Sequence, residues 1–190
     1  MSLRFLKAFL TSPSTVGAVW PSSPALARQM VATAGLDNAS TVVELGPGTG
    51  AFTRHIVENL RPGARFAAVE KHPAFAEKIS REFPGIQVVS GCATRLSDHL
   101  AAENIPAPEA ILSGLPWAAF GPELQTAILT QIHGSLAADG VFLTFAYYGP
   151  HRFAAGRRFR ANLGNLFGDV RRSPVVLRNF PPAFVYSCRR

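Results

Sequence analysis

At 190 residues, 47% hydrophobic and 16% charged, the chain is long enough for one domain with a full core and is too apolar to be disordered. Two cysteines, Cys92 and Cys188, exclude a disulfide framework and metal-ligand spacing, so no metal is expected and a reducing cytoplasm is the expected setting. The net charge of +7 is uneven: residues 149–190 hold nine arginines and one acid, Asp169, a basic segment suited to phosphate-bearing surfaces.

No apolar run approaches the roughly 20 residues that span a bilayer, and the N-terminus lacks a signal-peptide pattern. Residues 1–35 read as a helical arm of a single domain, 1–190. Ser2 to Thr11 is a short helix. Leu3, Phe5, Leu6, Phe9 and Leu10 share an arc of about 160°, with Arg4 and Lys7 on the other side. That stripe suits a lipid interface or a groove on its own domain, and both readings stand. Pro13 ends it. Val19 to Pro24 is a turn into a helix over about Ala25 to Ala34. Ser23 is its N-cap, Pro24 its first residue and Gly35 its close.

Val42 to Leu45 is a buried strand that runs into Gly46-Pro47-Gly48-Thr49-Gly50, and Phe52, Ile56 and Leu60 follow at helical spacing. A strand, a Gly-rich turn and a helix make a nucleotide-binding corner. Its glycines allow positive φ and close approach of a ligand, and the helix start presents free N–H groups. Arg65 to Val69 is the next strand. Glu70 stands at its tip, 24 residues after Gly46, followed by Lys71. An acid there is placed to accept both ribose hydroxyls of an adenosine ligand. A dinucleotide loop would read G-x-G-x-x-G. Here the form is E-L-G-P-G-T-G, with Glu44 two residues before the first glycine.

Pro73 to Phe83 is a helix and Ile86 to Ser90 a third strand. Glu109 to Ser113 is a fourth strand, and Pro122 to Leu136 a helix with Leu124, Ile128, Leu129, Ile132 and Leu136 on its buried side. Gly140 to Tyr147 is a long apolar fifth strand. Gly149 to Phe167 is basic and partly amphipathic. Pro174 to Arg178 and Phe184 to Cys188 are expected as two short strands joined through Pro181-Pro182, a terminal antiparallel hairpin. The alternation implies an α/β fold: a seven-stranded, mostly parallel sheet with helices on both faces.

The E-L-G-P-G-T-G stretch, Glu44 to Gly50, resembles motif I of the class I S-adenosylmethionine-dependent methyltransferases, and within them the ribosomal RNA adenine dimethyltransferase group. Gly91-Cys92-Ala93 sits where that group has Gly-Asp-Ala. Ser113-Gly114-Leu115-Pro116-Trp117 sits where it has Asn-Leu-Pro-Tyr. The chain is most similar to bacterial phospholipid N-methyltransferases acting on phosphatidylethanolamine. The similarity lies in Gly17-Ala-Val-Trp-Pro21-Ser22-Ser23, in Ser113-Gly-Leu-Pro116 and in Asn179-x-Pro-Pro-Ala183-x-Val-Tyr186.

The resemblance implies a Rossmann-like fold with S-adenosyl-L-methionine as cofactor. The residues implied to hold it are Pro21, Ser22, Ser23, Glu44, Gly46, Gly48, Gly50, Glu70, Lys71, Cys92, Ala93, Ser113 and Leu115. It also implies a phospholipid substrate, an anionic membrane surface as partner, no obligate protein partner, and a cytoplasmic location peripheral to the inner face of the membrane. Cys92 replaces an aspartate that accepts from the adenine amino group, and a thiol accepts weakly. Gly114 replaces the asparagine that holds a target adenine, which ranks RNA below lipid.

Transfer of a methyl group to an amine needs an oriented, deprotonated amine. Tyr147, Tyr148 and His151 follow the fifth strand and are candidates for handling its proton. Trp117, with Phe120, is a candidate to face the amine. Two other functions compete: nucleic-acid adenine methylation, and cofactor binding without catalysis.

Overall fold

The computed structural model describes residues 22–190. The Ser2–Thr11 helix and Pro21 lie outside the described residues. One seven-stranded sheet organises the rest, in the order β3-β2-β1-β4-β5-β7-β6. The strands are β1 (Thr41–Leu45), β2 (Arg65–Glu70), β3 (Gln87–Ser90), β4 (Ala110–Ser113), β5 (Val141–Tyr147), β6 (Asp169–Arg172) and β7 (Ala183–Arg189). The first five run parallel, and β7 lies antiparallel between β5 and β6. The helices are α1 (Pro24–Ala34), α2 (Ala51–Asn59), α3 (Pro73–Glu82), α4 (Leu96–Ala102), α5 (Pro122–Ser135) and α6 (Ala154–Leu166). This is the expected α/β architecture, a seven-stranded, mostly parallel sheet with an antiparallel C-terminal pair.

Every residue of β1 is buried, as parallel strands covered on both faces require. Successive side chains point to opposite faces. Val43 and Leu45 join Ile111 and Phe142 in one core under α4, α5 and α6. Val42 joins Phe66, Leu112 and Leu143 in a second core under α1 and α2. Helix α3 packs beside β2 and β3. Helix α1 starts as its sequence predicts: the Ser23 hydroxyl accepts the Leu26 N–H at 3.2 Å, and Gly35 closes it at φ 64°.

The terminal hairpin differs from expectation. The strand expected at Pro174 to Arg178 lies at Asp169–Arg172 instead, and residues 174–178 keep only an isolated bridge from Val176 to Ala183. The ladder stops at Ser173, whose hydroxyl accepts the Val185 N–H at 3.0 Å. Pro174 has no N–H with which to continue it. The apolar run Val175-Val176-Leu177 looked like a strand, whereas the edge position goes to a charged segment, which guards an open edge against further pairing. Helix α4, only seven residues long, carries no periodicity long enough to announce it.

Candidate active site

The site forms where the parallel strands end. After β1 the chain turns through Gly46 at φ 68° and Gly48 at φ 54°, conformations that side chains disfavour. The two glycines serve different ends. A Cβ on Gly46 would stand 2.7 Å from Leu115, so this turn is pressed against the loop after β4. A Cβ on Gly48 would meet nothing within 4 Å, so that backbone faces open space. Gly114 completes the contact, because a Cβ there would meet the Gly46 carbonyl oxygen at 2.7 Å. No asparagine fits at that position without moving the loop.

Glu70 is already oriented. One carboxylate oxygen accepts the Gly48 N–H at 3.1 Å, and the other accepts the His72 N–H at 2.8 Å. The acid at the tip of β2 is thus tied to the glycine turn. Gly91 N–H donates to the Glu70 carbonyl, which brings Cys92 and Ala93 alongside. Cys92 is half-buried. Burial pushes its thiol up, but hydrogen bonds from the Thr94 hydroxyl (3.1 Å) and backbone, with the charge of Lys71, leave it below its ordinary value. Ala93 is buried in the core.

Two expected cofactor residues sit behind the loops. Glu44 is fully buried. Thr53 Oγ1 donates to its Oε2 at 2.7 Å, and Oε1 has no hydrogen-bond partner. Burial pushes its carboxyl up to about 8, the Thr53 bond opposes, and the Glu70 charge adds to the rise. Ser113 is also fully buried. Its hydroxyl accepts from Leu115 N–H and from Trp117 Nε1–H, both at 3.2 Å. Buried Gln125 donates to the Trp117 carbonyl at 2.7 Å. The Ser-Gly-Leu-Pro-Trp loop is therefore braced from within.

A cavity of about 260 Å³ opens between Gly46–Thr49, Ser22 and the β4 and β5 loops. Leu115 and Trp117 line it, as do Tyr147 and His151. Sequence reasoning missed Phe52, Phe75, Phe145, Phe159 and Tyr186, which also line it. Phe52 and Phe159 were legible only as apolar helix positions, and nothing local distinguished a lining ring from a core ring. No carboxylate lines the cavity among the described residues. Trp117 is almost wholly buried, stacked on Phe159 at 4.8 Å. Tyr147 is pushed up to about 12 by burial and keeps its proton. Tyr148 points outward, under the Arg152 guanidinium, and does not line the cavity. Ser23 caps α1, and its N–H donates to buried Asn179 at 2.9 Å.

His151 is occupied within its own turn. Its Nδ1 accepts the Gly149 N–H at 3.1 Å. Burial lowers the ring, a hydrogen bond with the Tyr147 backbone opposes, and the charges of Arg152 and Arg172 lower it further. The ring is therefore neutral at pH 7, with its lone pair already engaged. A Cβ on Gly156 would stand 2.6 Å from the His151 backbone, so α6 presses directly on this turn.

No family model matches the chain. It is 33% identical over 190 residues to an ornithine lipid N-methyltransferase from Singulisphaera acidiphila, covering 97% of this chain and 94% of that protein. It is 32% identical over 99 residues to ribosomal RNA small subunit methyltransferase A from Chlorobium chlorochromatii, covering 52% of this chain and 36% of that one. An O-methyltransferase from Bacillus cereus, solved in complex with SAH, superposes with a TM-score of 0.69 at 14% identity, over 100% of this chain and 92% of that one.

The residues present fit the cofactor of such enzymes: an open glycine backbone at Gly48, an oriented acid at Glu70 and an adjoining cavity. The chain is a class I S-adenosylmethionine-dependent methyltransferase. Within that class it belongs to the same family as the Singulisphaera ornithine lipid N-methyltransferase. Among the described residues no group of side chains is arranged for a metal, and no helix is long and apolar enough to cross a membrane.

Proposed function

We propose that the protein methylates a primary amine in the headgroup of a membrane lipid. The observation that carries this reading is the end-to-end similarity to a lipid N-methyltransferase. The carboxylate-free aromatic cavity supports it. Both ornithine and ethanolamine headgroups present a primary amine. Phosphatidylethanolamine is the acceptor that the sequence motifs favour, and an ornithine lipid the one that the relative favours. The protein works peripherally at the membrane surface, drawn there by the arginines of 149–190 and the N-terminal segment.

S-adenosylmethionine, when bound, supplies a methyl group already activated on a sulfonium. The chain must orient the reactants and exclude water. Glu70 holds the ribose hydroxyls, with Lys71 beside it. Cys92 and Ala93 meet the adenine through their backbone groups, since the Cys92 sulfur already accepts from the Thr94 hydroxyl. Gly46, Gly48 and Gly50 shape the turn. Pro21, Ser22 and Leu115 border the methyl-transfer pocket. Trp117 and Tyr147 flank the amine. Glu44, Ser113 and Ser23 act from behind, by positioning these loops.

An ammonium entering an apolar cavity loses its favourable hydration, which disfavours the charged form. The ammonium therefore gives its proton to water as it leaves solvent for the apolar lining. His151 holds the β5–α6 turn in place, and Tyr148 stands at the rim.

The test is product identification after incubation with labelled cofactor and vesicles containing ornithine lipid or phosphatidylethanolamine, with ribosomal RNA in parallel. Label in a lipid amine supports the reading. Label confined to RNA overturns it, and would give the basic C-terminal segment the nucleic-acid role instead.

A further inference from the structure

The described residues include seven large hydrophobic side chains that are exposed, and four of them stand on two adjoining loops. Tyr148 (48% exposed) and Phe153 (58%) belong to the turn between β5 and α6. Leu177 (77%) and Phe180 (58%) belong to the connection between β6 and β7. The loops are tied together: Tyr148 N–H donates to the Pro182 carbonyl at 2.7 Å. They are also anchored from below. Val176 bridges to Ala183, which pairs with the cavity-lining Tyr147, and buried Asn179 holds both the Ser23 N–H and the Pro181 carbonyl. The connection that failed to form a strand is thus a fixed loop presenting apolar side chains beside the cavity mouth.

Arginines surround them. Arg152 lies over the Tyr148 ring, Arg172 lies over Phe184, and Arg178 is exposed between Leu177 and Phe180. The segment's one acid, Asp169, is paired with Arg171 at 2.7 Å. Exposed apolar tips among uncompensated cations match a bilayer interface with anionic headgroups.

We infer that the Tyr148–Phe153 and Leu177–Phe180 loops insert into the interface of an anionic lipid bilayer and hold the cavity mouth against it. This rests on the lipid-amine reading above. Arginine with aromatic rings also suits single-stranded RNA. The most exposed of the four, however, is Leu177, an aliphatic residue that offers a base no stacking face.

The test uses the full chain. Vesicles of phosphatidylcholine with phosphatidylglycerol, neither of them an amine acceptor here, are sedimented with the wild type and with Phe153→Ser/Leu177→Ser/Phe180→Ser. The bound-to-free ratio should fall about tenfold or more, as lost burial of large apolar side chains implies. Binding of S-adenosylhomocysteine should not change. An unchanged ratio overturns the inference, as does a loss of RNA binding without loss of vesicle binding. Phe180→Trp provides an independent measure. It should gain fluorescence quenching by brominated lipid beyond that of the wild type. Absence of that gain overturns the inference too, and points to residues 1–21 or a second copy as the cover of these loops.

A short-chain ethanolamine phospholipid below its micelle concentration separates the two readings. The triple variant should methylate it within twofold of wild type. If the wild type leaves it and the corresponding ornithine lipid untouched yet binds vesicles as described, the functional reading fails and the docking surface stands.

Discussion

Two carboxylates 26 residues apart behave oppositely because of what surrounds them. Glu70 is held by two backbone N–H groups, those of Gly48 in the glycine turn and of His72. Glu70→Ala should weaken S-adenosylhomocysteine binding by about 1–3 kcal/mol in calorimetry, the worth of charge-assisted hydrogen bonds. Glu44 has one hydroxyl donor and is otherwise sealed. With its carboxyl raised from 4.5 to about 8, the folded state holds a proton that the unfolded state releases between those values. Its contribution to stability is therefore complete below about 4.5, falls as pH rises and is lost above about 8. Glu44→Gln mimics the protonated form. Its urea-unfolding stability without cofactor should exceed that of wild type by a margin that widens over this window, to the order of a few kcal/mol, and then levels off.

At the scale of elements, two turns set the geometry of the cavity. In the first, Asn179 joins the start of α1 to the β6–β7 connection, although 156 residues separate it from Ser23. Asn179→Ala leaves the Ser23 N–H and the Pro181 carbonyl without their partner. It should cost about 1–3 kcal/mol of stability, visible as a lower thermal midpoint. In the second, His151 closes the β5–α6 turn with its ring already engaged. His151→Gln can both donate and accept. It should keep methyl transfer within several-fold of wild type, with the pH profile unmoved, whereas His151→Ala should raise KM more than it lowers kcat. A collapse of kcat in the Gln variant, with loss of the profile's acidic limb, would make the histidine a base.

At the scale of the whole molecule, part of the C-terminal charge lies at the cavity end, whereas Arg189 and Arg190 lie at the other end of the sheet, beside Val141 and Gly140. The nine arginines of 149–190 are opposed by one acid, and Arg152, Arg172 and Arg178 stand on or beside the loops at the cavity mouth. Attraction of such a patch to anionic lipid is screened by salt over roughly 10 Å at 0.1 M. Co-sedimentation with phosphatidylglycerol vesicles should therefore fall steeply as salt is raised. S-adenosylhomocysteine affinity should change little, since the proposed cofactor contacts at Gly48 and Glu70 carry none of these arginines.

Most of the sheet was legible in the sequence because its strands are local, apolar and punctuated by glycine, and the turn after β1 because its positive-φ positions require glycine. Ser23 as a cap and Gly35 as a stop were legible for the same reason: their hydrogen bonds and dihedrals are satisfied within a few residues. What only the tertiary structure decided depends on partners far along the chain. β6 forms at Asp169–Arg172 because Pro174 ends the ladder and β7 offers its edge to the charged segment. Ser113 turns out to brace a loop, Tyr148 to face outward, and five further rings to line the cavity. Periodicity marks a side chain as apolar, but whether it faces a core or a cavity depends on which other element packs over it.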